Sequence, residues 1–264
     1  MPLLPVPPLK HSQDERGRAG NGQPLRELDA LLVRPAGFLA RKTHMNEFAC
    51  SKLAMPKFGF SPSEARVLSR LRTPIRIQRY LDSIDYNLGR REDACLSPRM
   101  VLRNGKANCI EGAIFAAAAL RFHGHPPLVV DLTAVRDDDH VIAVFKRFGH
   151  WGAVAKSKYT GLRYREPIHR NIRELALSYF EDYFNPAGQK TLRSFSAPVD
   201  LSMFDYANWM TTEKSIFFMA EHLVGVKHRS LLTRGMVRNL GKVNPIQREA
   251  GELEMRRARL AQRR

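Results

Sequence analysis

The sequence predicts an α+β protein in which a cysteine-headed helix, buried on every side, lies against an antiparallel sheet. Three observations carry this reading. Positions 110–120 read Ile-Glu-Gly-Ala-Ile-Phe-Ala-Ala-Ala-Ala-Leu, so almost no face of that helix is left for water. Three apolar runs follow, at 127–135, 140–146 and 151–156, and short turns between such runs read as a meander. Further helices, several with start signals, and a basic tail complete the chain.

The elements follow in chain order. Residues 1–44 are rich in Pro, Gly and charge and read as a mostly disordered leader. The main domain is expected over 45–225 and the tail over 226–264. Ser61-Pro62-Ser63-Glu64 combines an N-cap, a proline at the first helical position and a capping-box glutamate. Thr73-Pro74 starts a second helix, with Ile75, Ile77, Tyr80, Leu81 and Ile84 on one broad face. Asn108 and Glu111 form a capping box for the buried helix. Arg121 and His123 suit its last turn, and Gly124 with Pro126-Pro127 stops it. The turn Arg136-Asp137-Asp138-Asp139 joins the first two strands, and Arg147-Phe-Gly-His150 joins the second to the third. Asn171 and Glu174 open another helix. The chain then reads as irregular from Asn185-Pro186 to about Thr211, before a last apolar helix over 215–224.

Composition limits the classes of function. The chain has 264 residues, 44% of them hydrophobic, enough for one domain with extended ends. No run approaches 18 apolar residues, so no membrane span or membrane partner is expected. The start MPLLPVPPLK lacks a basic region and a cleavage site and is not read as a signal peptide. Three cysteines at irregular spacing argue against a disulfide framework and for a reducing, cytoplasmic setting. The net charge is +17. From Lys227 to Arg264 there are eleven Lys and Arg against three acids, which reads as a solvated tail, largely disordered or helical. The sharper alternative is contact between this tail and nucleic acid or another polyanion.

Cys109 is the candidate nucleophile. At the first position of the buried helix it meets backbone N–H groups without intrahelical partners and the positive end of the helix dipole. Both favour a thiolate, and the N–H groups around Asn108 and Ile110 suit an oxyanion. His140, which opens the second strand, is the candidate base. Buried free cysteines are commonly inert, and a histidine beside acids is commonly structural, so the joint pattern carries more than either residue. Cys50 and Cys95 lack a comparable setting and read as structural. A metal site at His140 with the 137–139 turn is a lesser alternative. His123 and His125 have no acid or cysteine at ligand spacing, and neither metal nor cofactor is expected.

The arrangement resembles the transglutaminase-like superfamily, which shares its core with papain-like cysteine enzymes. The resemblance rests on Lys106-Ala-Asn-Cys-Ile-Glu-Gly-Ala-Ile114, on the step from Gly124 to Leu132, and on Asp139-His140-Val-Ile-Ala-Val144. It covers roughly 73–157, about a third of the chain. It implies a Cys–His pair attacking an amide or peptide bond through an acyl-thioester, with hydrolysis preferred to amine transfer. It also implies an acid in the third strand, about 15 residues after the His, to orient the ring. Here that strand reads Trp-Gly-Ala-Val-Ala-Lys-Ser-Lys158 and holds none. Ser157 or a backbone carbonyl, or an acid from elsewhere such as Asp131 or Asp138, is left to orient His140. Otherwise the domain is a weak or inactive member that serves as a binding module.

Overall fold

A computed structural model describes residues 57–89 and 95–253. The expected leader, Cys50 and the last eleven residues lie outside that range.

The first half is built from capped helices. α1 (Pro62–Arg70) starts at Ser61, whose Oγ accepts from Glu64 N while the Glu64 carboxylate accepts from Ser61 N. α2 (Pro74–Ser83) is capped by Thr73. A two-residue strand β1 (Asp85–Tyr86) follows, then α3 (Pro98–Asn104), which ends on Gly105 at φ +60°. β2 (Lys106–Ala107) pairs with β1 in parallel and leads straight into α4 (Cys109–Phe122). Ten consecutive residues of α4, Glu111 to Leu120, are buried.

The second half is the sheet. β3 (Leu128–Ala134), β4 (His140–Arg147) and β5 (His150–Val154) form the expected meander. β6 (Arg165–His169) extends it on one side, and α5 (Ile172–Leu177) follows from its Asn171 cap. On the other side of β3 lie β7 (Leu192–Ser196) and, beyond it, β9 (His228–Ser230). β8 (Val199–Asp200) also pairs with β3. The path is β6-β5-β4-β3-β7-β9, and every pair in it is antiparallel. α6 (Phe217–Gly225) precedes β9, and α7 (Arg234–Arg238) and α8 (Pro245–Gly251) follow it. The protein is therefore α+β, with one antiparallel sheet and helices packed on it.

Each sheet face has its own core. Val129, Val141, Ala143 and Phe145 face α4 and pack with α1, α2 and α6. Val130, Leu132, Ile142 and Val144 face the opposite way, toward α5 and Tyr179 and Tyr183. Period-two alternation of side chains along β3 and β4 produces this split.

Two expectations are corrected here. The stretch 185–211 is not irregular, since it holds β7, β8 and a 3-10 helix at Leu201–Ala207. The basic segment does not begin outside the domain. Over 226–253 it supplies β9, α7 and α8, and it buries Leu231 and Val243. Its composition reads as a tail because the charged side chains point outward, while the backbone closes the sheet edge and a few apolar residues anchor it.

Candidate active site around Cys109

Cys109 is the first residue of α4. Asn108 Oδ1 accepts from Glu111 N at 3.0 Å, and Glu111 Oε2 accepts from Asn108 N at 2.8 Å. The same carboxylate, fully buried, also accepts from Leu96 N at 2.9 Å and from Asn87 Nδ2 at 3.0 Å. One capping glutamate thus ties together three segments that border the thiol.

The helix start opens on a cavity of about 670 Å³. Its wall includes Cys109, Asn108 and Ile110 from α4 and its cap, Asp131 and Val141 from the sheet, and Leu223 from α6. Such a volume suits a small molecule or a peptide side chain. The Cys109 thiol donates to the Asp139 carbonyl at 3.9 Å, so the sulfur sits at the start of β4. Cys95, by contrast, is buried, and burial with the nearby Glu111 charge pushes its thiol far above the ordinary range.

His140, expected as the base for Cys109, belongs to the other sheet face, so the structure does not bring its ring onto the cavity wall beside the thiol. Its neighbours along and across the strand on that face are Ile142 and Leu132. Its ring makes edge-on contacts with Tyr179 and Tyr183, each at 6.4 Å between centroids. It is 4% exposed, and it is not among the residues lining the cavity. Nε2 lies 2.9 Å from the Leu162 carbonyl. A carbonyl only accepts, so Nε2 carries the proton and Nδ1 keeps its lone pair. Burial lowers the ring's pKa to about 4, against the opposing pull of the Leu162 bond.

The candidate orienters divide as follows. Ser157 Oγ accepts from Tyr159 N at 3.0 Å, a turn contact rather than a bond to the imidazole. Asp131 bonds a different histidine, with His228 Nε2 at 3.0 Å from its Oδ2. Asp138 lies on the cavity wall, and its carbonyl accepts from Tyr183 Oη at 2.7 Å. The group that orients His140 is therefore the Leu162 backbone, one of the options the missing acid left open. Asp137 is engaged by Thr191 Oγ1 at 2.7 Å, and His123 Nε2 meets the Leu68 carbonyl. Among the described residues, no three His, Cys, Asp or Glu side chains converge as a metal site.

Sequence reasoning missed His228, Tyr183 and the tying role of Glu111. Only Glu111 carried a signal, its place in the capping box. The chain matches no model of a known protein family and no curated protein. Among the described residues no helix is long and apolar enough to cross a membrane.

Proposed function

We propose that this protein is a cysteine-dependent acyl-transfer enzyme with a transglutaminase/papain-like core, acting on an amide or peptide bond in a reducing compartment. The observation that carries the reading is the seat of Cys109. Its sulfur stands at the first turn of a capped, buried helix and on the wall of a large cavity. N–H groups of that turn stabilise both a thiolate and the oxyanion formed when sulfur attacks a carbonyl. His140 follows the residue whose carbonyl the thiol meets, and with Nε2 bonded to the Leu162 carbonyl it is Nδ1 that carries the ring's lone pair. The Sγ–C bond forms, the C–N bond breaks and the amine departs carrying the proton the thiol gives up, and water or a second amine then releases the acyl group. Hydrolysis is the simpler outcome, since nothing further is needed than water in the cavity.

The test is site-resolved alkylation by iodoacetamide between about pH 5 and pH 9. Cys109 should label selectively below the ordinary thiol pKa of about 8.5, and His140→Ala should slow it at neutral pH. Equal, slow labelling of Cys95 and Cys109 would falsify the activated-thiol reading.

One observation favours a second reading, a binding module that uses this cavity without catalysis. The His140 ring is neutral, deeply buried and oriented by a carbonyl, which does not hold imidazolium as a carboxylate does. In that reading the exposed cations Arg234, Arg238 and Lys242 contact nucleic acid or another polyanion. Truncation is a poor test of it, because it would remove β9 from the sheet. Substituting the three by Glu and measuring salt-dependent binding of duplex DNA separates the readings, with Cys109→Ala as the matching control.

A further inference from the structure

We propose that Asp131 and His228 form a second acid–base group of the Cys109 cavity, carrying one shared proton between the cavity wall and the partners of the acyl group. The proposal rests on the acyl-transfer reading and extends it to a residue pair that the sequence pattern does not suggest.

Asp131 lies on the α4 side of the sheet. Its cross-strand partner Val141 and its neighbour Val129 both belong to the core that holds α4. It is 3% exposed, yet it forms part of the same cavity wall as Cys109. His228 comes from β9, 97 residues away, and meets it at 3.0 Å. Ser196, which pairs with His228 across β7 and β9, accepts the Asp131 N–H through its hydroxyl at 3.0 Å. The last strand of the sheet thus delivers an imidazole to a carboxyl on the cavity wall. Stability does not explain this, because a buried ion pair is commonly no better than apolar residues of the same volume. A buried carboxyl paired with an imidazole inside a cleft is instead a mark of a functional site.

The surroundings set the proton count. Among the described residues, the ionisable groups on the wall with Asp131 include Asp138 and Asp139 from the β3–β4 turn, Cys95, Cys109 from α4, Tyr86, Lys158 and Glu221, with Tyr183 within electrostatic reach. Burial, then the Asp139 charge, raises the Asp131 carboxyl to about 6, with His228 opposing. The Asp131 carboxyl therefore keeps a proton further up the pH scale than an ordinary carboxylate does. In acylation the pair takes the thiol proton as the Sγ–C bond forms and gives it to the departing nitrogen as the C–N bond breaks. In deacylation the attacking water gives a proton to the pair as its oxygen bonds the acyl carbon, and the pair passes that proton to the departing sulfur. Protons and charge balance over the cycle.

The experiment is the pH–rate profile of Cys109 labelling by iodoacetamide, using the full chain, Asp131→Asn, His228→Gln and the double variant. The expected wild-type profile has an inflection near 6 besides that of the thiol, with a rate step of about threefold or more. Either substitution should abolish that inflection, and the double variant should do no more than the singles. A wild-type profile with no such inflection overturns the proposal even if neither variant folds. So does an inflection that persists in both variants. If Cys109 labels no faster than Cys95 while the inflection is still lost in the variants, acyl transfer fails and the pair stands as the cavity's proton carrier.

Discussion

The imidazole of His140 donates its Nε2 proton to the Leu162 carbonyl at 2.9 Å, and that bond fixes a neutral ring behind the sheet. Its pKa falls from an ordinary 6.5 to about 4 through burial. An unfolded chain therefore takes up a proton below about 6.5 that the folded chain refuses. The stabilising effect of a neutral His140 is complete above that value and is lost as pH falls toward 4, by about 3 kcal/mol in all. Asp131 works in the opposite sense. Burial and Asp139 raise it from 3.8 to about 6, so the folded carboxyl keeps a proton that the unfolded one has released. Its contribution is present below 3.8 and is lost as pH rises toward 6. Between about pH 4 and 6 the two nearly offset. Urea midpoints of Asp131→Asn should consequently fall on acidification from 6 to 4.5 more steeply than those of wild type. His140→Asn should shift the other way. Two variants that simply track the wild-type curve would refute this balance.

The same histidine shows where the sequence was readable. The caps at Ser61, Asn108 and Asn171 mark three helix starts because their side chains bond locally to the backbone three residues on. The all-apolar run of α4 and the meander were legible for a similar reason, as burial on every side leaves its trace in composition. The face of His140 was not legible. β4 is apolar on both sides, with Val141 and Ala143 toward α4 and Ile142 and Val144 away from it. A strand without alternation carries no mark of which face meets the cysteine helix. β9 was hidden for another reason. Three residues, His-Arg-Ser, within a basic stretch show no strand pattern, and their place depends on β7. His228 therefore became visible only once the sheet was assembled.

Gly112 stands one turn beyond Cys109, where α4 passes Lys156 with no room for a side chain. A Cβ there would lie 2.4 Å from the Lys156 Cβ. Lys156 is buried, and its ammonium donates to the Leu81 carbonyl at 2.7 Å and the Ile84 carbonyl at 2.6 Å, so it has nowhere to retreat. Gly112→Ala should cost about 1–3 kcal/mol despite the better helix propensity of alanine. A melting temperature lower by about 2–10 °C is the expected reading. An unchanged or higher value would mean that α4 and the end of β5 can part without cost.

Glu111 makes a different kind of prediction, because its carboxylate only accepts. Asn108 N, Leu96 N and Asn87 Nδ2 all donate to it. Glu111→Gln replaces one oxygen with an amide that must face a donor, leaving a buried bond unmade at a cost of about 1–3 kcal/mol. The loss should be local as well as global. Amide hydrogen exchange at Asn108 and Leu96 should quicken more than exchange in the middle of β4. Uniform acceleration across the chain would show that the glutamate serves stability alone and not the border of the cavity.

Tyr183 links the two sides of the sheet at the end where Cys109 sits. Its ring stands edge-on to His140, while its hydroxyl donates to the Asp138 carbonyl at 2.7 Å. The next carbonyl along, that of Asp139, is the one the Cys109 thiol meets. Asp139 has its own anchor, since its carboxylate accepts from Ala134 N at 2.8 Å. Tyr183→Phe keeps the ring contact and deletes only the bond to the turn, so its stability cost should be modest, about 1 kcal/mol. The turn beside the sulfur should nevertheless loosen, and Cys109 alkylation at neutral pH should change severalfold while Cys95 stays slow. If the Cys109 rate is unaltered, the Asp139–Ala134 bond alone holds the turn, and Tyr183 acts only through its packing on His140.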